Sequence, residues 1–238
     1  MTKRGVGLIV LALAAVLAFS GCLKAKEPEK AAAKEGGAAA AAQMTIKFAV
    51  GGPETLPIYR AAKDHFKPQI EARSNGRIKV ELYPSSQLGD DVKLIESIRA
   101  GTLEATGPTS APLVGIAPEV AIFDIPFVFG SAKVADFILD GKIGQKLSAI
   151  LETKGIYNFS WSEMGFRYLT NSVREIKAPR DVKGLKIRTM ENPIHLANWR
   201  LLGANPTPMP ASEVFTALKQ KAIDGQENSW SNIYSQKF

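Results

Sequence analysis

Two arginines and one asparagine offer the clearest chemistry in this sequence. They are Arg167, between Phe166 and Tyr168; Arg188, which ends Gly-Leu-Lys-Ile-Arg; and Asn228, between Glu227 and Ser229. A guanidinium presents parallel N–H donors that match the two oxygens of a carboxylate, and it keeps its charge when a cleft closes over it. An asparagine side chain supplies both a donor and an acceptor. The three together could form a site for a small anion. A surface salt bridge for each arginine and a turn for Asn228 are the alternatives that sequence position leaves open. Other chemistries have little to build on. One cysteine, Cys22, and two histidines, His65 and His195, are too few for a disulfide framework, a cysteine zinc site or a histidine-rich metal centre. The histidines read as packing or surface residues. Trp161, Trp199 and Trp230 read as core, with Trp230 the one best placed to wall a pocket, and Tyr59 could line a cleft after the first strand. Phosphate-loop, dinucleotide and Gly-x-Ser-x-Gly motifs are missing, and no cofactor is expected.

The elements that would position these residues alternate in period. Residues 45–50 read as a strand, 56–74 as a helix bent at Pro68 and ended by Asn75-Gly76, and Ile78, Val80 and Leu82 alternate as in a strand. Asp90 and Asp91 open a helix that Gly101 closes, and a short strand at 103–106 and a Pro-rich stretch at 108–126 follow. Ser131 would cap one long helix stopped by Gly155, with a strand at 156–161. After Gly165 the alternation restarts: strands at 166–170 and 185–189, a helix at 194–202, a short strand at 207–209, a helix at 212–222 and a strand at 226–230. The pattern is open α/β, in which ligands bind outside the carboxyl ends of strands. Arg167, Arg188 and Asn228 are the polar residues to inspect there.

Length and charge divide the 238 residues further. The net charge of +7 breaks into +3 over 1–43, −1 over 44–165 and +5 over 166–238. The first share belongs to targeting: Lys3 and Arg4 precede an uncharged apolar run of 14 residues, Val6 to Phe19, which is too short for a bilayer-spanning helix and reads as a secretion signal. Phe19-Ser20-Gly21-Cys22 resembles a bacterial lipobox, so 1–22 is expected to be a lipoprotein signal with Cys22 as the acylated residue. Residues 23–43, rich in Ala, Lys and Glu, read as a tether. Two α/β lobes of different charge, 44–165 and 166–238, complete the organisation.

The stretch 165–238, with GLKIR, GANPTPMP, SEVFTAL and DGQEN in that order, resembles the solute-binding proteins of TRAP transporters, the C4-dicarboxylate-binding type. IKFAVGG, YPSSQLGDD and FDIPFVF are similar to that family's first lobe, so the likeness runs from Thr45 onward. It implies a two-lobed periplasmic binding protein fold with a ligand cleft between the lobes. It also implies a receptor, not an enzyme, that captures a small organic acid, a C4-dicarboxylate or related carboxylate, and delivers it to TRAP permease subunits. The family's carboxylate-binding arginine falls on Arg188, its second arginine on Arg167 and its asparagine on Asn228. In the loop that carries charged ligand contacts in the sialic-acid branch, only Thr109 and Ser110 are polar, which argues against a sialic acid. Ala211 stands where some members carry a phenylalanine. Glu191 is expected to cap or to face solvent, since it would repel a carboxylate. Family members continue past the point where this chain stops, so the C-terminal part of the fold reads as missing and weak ligand binding is expected of such a chain.

A periplasmic enzyme acting on an organic acid, and a binding protein of another transporter class, are the alternatives. A nucleic-acid partner is not expected, because the basic residues of 166–238 are interspersed with acids and form no patch. One charge-assisted hydrogen bond nets roughly 1.5 to 3 kcal/mol, whereas micromolar binding needs about 8.2 kcal/mol. Arg188 alone would fall short, and a desolvating cleft is required.

Overall fold

The computed structural model describes residues 43–238. The expected secretion signal, Cys22 and the expected tether up to residue 42 lie outside the described residues. The first sheet is parallel throughout: β1 (Met44–Ala49) lies between β2 (Ile78–Tyr83) and the two-residue β3 (Ala105–Thr106). Phe48, Val50 and Val80 form its buried core with Tyr59 and Ala62 of the covering helix. That helix runs as α1 (Pro57–Ala61), a π-helical stretch (Ala62–Phe66) and α2 (Lys67–Arg73). At Pro68, where the sequence predicts a bend, the coil widens over the turn before the proline; the ring would otherwise crowd the carbonyl of residue 64, and its missing N–H leaves an acceptor free. The chain then reverses through Asn75 and Gly76, both at positive φ.

Helix α3 (Asp91–Arg99) starts where Asp90 accepts from Lys93 N at 3.1 Å, and it ends near Gly101 at φ 70°. The long helix expected after Ser131 is two helices, α4 (Ala132–Leu139) and α5 (Lys142–Thr153). Two glycines make the corner: a Cβ on Gly141 would lie 2.6 Å from the Phe137 carbonyl oxygen, and one on Gly144 only 1.8 Å from that of Leu139. Residues 156–161 form no strand. Trp161 ties this stretch to α5 instead, its indole N–H lying 3.0 Å from both Gly144 O and Ser148 Oγ.

The second sheet has the order β4-β7-β5-β6, from β4 (Arg167–Asn171), β5 (Lys186–Thr189), β6 (Asn205–Pro208) and β7 (Gly225–Ser229). Strand β5 is parallel to β6 and β7, whereas β4 runs antiparallel to β7. Helices α6 (Pro193–Leu201), α7 (Ala211–Lys219) and α8 (Trp230–Gln236) follow β5, β6 and β7. Val182, Leu185, Ile187 and Ala204 form an apolar cluster on this sheet. Strand β7 is Gly-Gln-Glu-Asn-Ser, and all five residues are buried.

Gly225 permits that burial. A Cβ there would lie 2.2 Å from the Thr170 carbonyl oxygen on β4, so the two backbones approach more closely than any side chain allows. Gly225→Ala is expected to lower stability by about 1–3 kcal/mol through forced separation of β4 and β7. Chemical denaturation measures this, and an unchanged unfolding midpoint would show that the strands tolerate the methyl group.

Candidate ligand-binding cleft

A cleft opens at the carboxyl ends of the parallel strands, where the topology rule for open α/β sheets places ligands. One wall comes from Gly51 and Gly52 after β1, Asp90 and Asp91 at the start of α3, and Gly107 and Thr109 after β3. The other comes from Arg188, Met190 and Glu191 at the end of β5, Ala211 and Ser212 at the start of α7, Asn228 of β7 and Asn232 of α8.

Arg188 is 2% exposed. Its Nε and one terminal nitrogen donate to the Met209 carbonyl oxygen at 2.9 and 2.7 Å. Among the described residues no carboxylate oxygen lies within 4.0 Å of it. Burial, and then the charge of Arg167, pull its pKa down to about 10, so it stays a cation at neutral pH. A buried cation without a counter-ion is costly, and this one lines the cleft. Asn228 complements it. Its Oδ1 lies within reach of Asn232 Nδ2 at 2.8 Å, Ser229 N at 3.0 Å and Arg167 at 3.4 Å, which leaves the amide N–H donors to point elsewhere.

Arg167 begins β4, and only the antiparallel pairing of β4 with β7 brings it to this end of the sheet, opposite Ser229. It is already engaged. Its Nε and a terminal nitrogen grip both carboxylate oxygens of Glu227, the latter contact at 3.0 Å, and the same nitrogen donates to the Glu227 carbonyl oxygen at 2.7 Å. Burial pushes the Glu227 carboxyl up, but Arg167 and His195 outweigh this and hold it below the usual carboxylate range.

Acceptors gather on both walls of the cleft. Asp91 Oδ2 accepts from both Thr109 N and Thr109 Oγ1 at 3.1 Å. A Cβ on Gly51 would sit 2.9 Å from Asp91 Oδ1, so glycine makes room for this carboxylate. Burial raises the Asp91 pKa against the pull of the Thr109 donors. Asn232 Oδ1 is buried with no hydrogen-bond partner among the described residues. Glu191 lines the cleft rather than turning away from it, contrary to the expectation that it would cap or face solvent. Asn192 takes the cap instead, its Oδ1 accepting from Ile194 N and His195 N at the start of α6.

Of the residues singled out from sequence, Arg188, Asn228 and Thr109 line the cleft and Arg167 stands behind them. Ser110 starts the 3-10 segment Ala111–Gly115 and is outside the lining. Tyr59 lies in the apolar core beneath β1, because it falls on the inward face of α1. Trp230 is 59% exposed and stacks on Tyr168, with ring centroids 4.9 Å apart, instead of walling the cleft. Asp91 and Asn232 are lining residues that the sequence reading misses, and Glu191 is one that it turns away from the site. Asp91 alone had a sequence signal, the Gly-Asp-Asp that follows a strand end.

The model of one family, DctP, the bacterial extracellular solute-binding protein family 7, matches residues 48–238. The chain belongs to that family. The solute-binding protein fold is shared closely with solved structures. The sugar acid binding protein DctPAm of Advenella mimigardefordensis, solved in complex with galactonate, is 40% identical with a TM-score of 0.80, over 84% of this chain and 64% of that one. A TRAP periplasmic solute binding protein from Sulfurospirillum deleyianum with bound succinate is 32% identical with a TM-score of 0.80, over 83% and 63%. A relative from Verminephrobacter eiseniae, named a solute-binding protein, is 43% identical over 84% of this chain and 60% of its own length. The chain spans about 60% of the length of the curated relatives it matches. These relatives are binding receptors rather than enzymes, and the acids they hold extend beyond C4-dicarboxylates.

Asp91 makes the cleft wall a burden on the unliganded solute-binding protein. A carboxyl raised in the folded state contributes stability that is present at acid pH and lost as pH rises through its folded pKa. Asp91→Asn keeps an acceptor for Thr109 and removes the charge. It is expected to stabilise the unliganded protein at neutral pH by on the order of 1 kcal/mol, with the gain vanishing in acid. Denaturant unfolding at several pH values measures this; a variant no more stable than wild type at neutral pH would contradict it.

Proposed function

We propose that this protein is the extracytoplasmic receptor of a TRAP transporter, that it binds a small hydroxylated carboxylate in the cleft, and that it hands this acid to the membrane permease. The observation that carries this reading is Arg188, a buried cation that contacts only a backbone carbonyl. A ligand carboxylate would complete it, with one oxygen facing the free guanidinium nitrogen and the Asn228 amide adding a donor. Arg167 then acts behind the site, clamped by Glu227, rather than as a second direct anchor.

The rest of the cleft lining favours hydroxyls over a second carboxylate. Asp91, Glu191 and the unpartnered Asn232 Oδ1 are acceptors, and acceptors require donors from the ligand. A polyhydroxy acid brings them; succinate brings none and adds a charge that Asp91 and Glu191 repel. The galactonate complex of a 40% identical relative supports the same class. Attachment to a membrane through an acylated Cys22 belongs to this reading on the sequence alone.

Calorimetry with galactonate, gulonate and succinate tests the proposal. Both hydroxy acids are expected to bind more tightly than succinate. Arg188→Lys, which loses the two-pronged donor set, is expected to weaken galactonate binding at least about tenfold. Unchanged affinity in that variant would remove Arg188 as the anchor, and a preference for succinate would overturn the hydroxyl-reading wall.

A further inference from the structure

Carboxylate capture by Arg188 leaves one buried titratable group without a task. His195, on α6, is 8% exposed, and both of its ring nitrogens face carboxylates. Nε2 lies 2.9 Å from Asp124 Oδ1 and Nδ1 lies 3.5 Å from Glu227 Oε1. Asp124 closes the 3-10 segment Pro118–Asp124 in the first half of the chain, and its second oxygen accepts from Asn192 Nδ2 at 2.9 Å. Glu227 sits on β7 and is gripped on its far side by Arg167. A neutral imidazole has one N–H and can donate to only one of two carboxylates; the imidazolium serves both.

Charge arithmetic follows. With His195 doubly protonated, Asp124 and Glu227 are balanced by His195 and Arg167, and the buried network is neutral. With His195 neutral it carries one net negative charge on the sheet that holds Arg188. There an incoming anion already contends with Asp91 and Glu191.

We propose that His195 is a positioning residue for the cleft: it holds Glu227 against Arg167 and keeps the network neutral, so that carboxylate capture at Arg188 is strongest with the ring doubly protonated. The proposal rests on Arg188 as the carboxylate anchor.

Burial pulls the His195 pKa down, but donation to Asp124 and Glu227 outweighs it and the net shift is upward. The groups facing the ring are Asp124 from the 3-10 segment, Glu227 from β7 and the neutral Asn192 cap of its own helix, with Arg167 of β4 behind Glu227. Glu227 is held low and stays ionised, and Arg188, at about 10, titrates above the range concerned. Burial raises the Asp91 pKa, but Asp91 is the same in wild type and in His195 variants, so its contribution cancels in the comparison. The sign is therefore fixed: affinity is highest below the raised histidine pKa and falls as pH rises through it.

Galactonate binding is measured by calorimetry from about pH 6 to about pH 9, a range that spans a raised histidine. Wild type is expected to lose affinity roughly tenfold across it, equivalent to one pKa unit of coupling. His195→Gln, which carries no positive charge and does not titrate, is expected to bind weakly with a shallower profile than wild type. Parallel profiles in the two proteins would overturn the proposal while leaving the function intact. Failure of galactonate to bind wild type at any pH would overturn the reading of the cleft and this proposal with it. Nitrogen-15 NMR of the unliganded wild type needs no variant. His65, the only other histidine, is exposed, so the His195 signals separate readily. Both ring nitrogens protonated near neutrality is the expected result, and a single fixed tautomer would refute the proposal.

Discussion

A charge taken out of water must be matched, at an effective penalty of several kcal/mol per ion otherwise, and strand β7 concentrates that demand. It lies between β4 and β5, and every one of its residues is sealed from solvent although four of the five are polar. Glu227 meets the demand twice over, with Arg167 on one side and His195 on the other. Asn228 meets it by collecting donors at its oxygen. On the next strand, Arg188 meets it only in part, through the Met209 carbonyl. The matching is uneven: one cation is paired with a carboxylate and the other only with a backbone carbonyl.

The walls are held in register by ordinary packing. The Phe48, Val50 and Val80 cluster fixes β1 under its helix, and a second cluster around Leu94 and Leu103 seats α3, whose first residue is Asp91. Thr109 carries that support into the cleft by binding Asp91 with backbone and hydroxyl together, and the same hydroxyl lies 3.6 Å from the Met190 sulfur on the other wall. Acceptors on both walls and the Arg188 cation make the cleft polar along its length.

Local signals in the sequence were enough for most of the elements. Alternating Ile78, Val80 and Leu82, the Asp90 and Ser131 caps and the Asn75-Gly76 reversal each act within a few residues, and each forms as its chemistry dictates. The failures needed distant partners. Residues 156–161 have strand-like composition but pack on α5, α3 and the 3-10 segments instead of pairing with a strand, and the helix after Ser131 breaks because Gly141 and Gly144 allow two helix ends to meet. The site divides in the same way. Arg188 and Asn228 were visible as strand-end polar residues. The role of His195 depends on Asp124, 71 residues earlier, and on Glu227, 32 residues later, and nothing in its own neighbourhood marks it. Tyr59 and Trp230 were ambiguous because a large ring suits a core, a stack or a pocket equally well, and only the face of its helix decides.

Asn192 has two employers. Its carbonyl oxygen caps α6, while its amide nitrogen reaches Ala111 O at 3.1 Å and Asp124 at 2.9 Å in the first half of the chain. A helix start pinned in this way ties the end of β5, with Met190 and Glu191 directly before the cap, to the 3-10 segments of the first half of the chain. One short side chain therefore has to be placed for three partners at once, and removing its amide would strip α6 of its cap and leave a carbonyl and a carboxylate without their donor together.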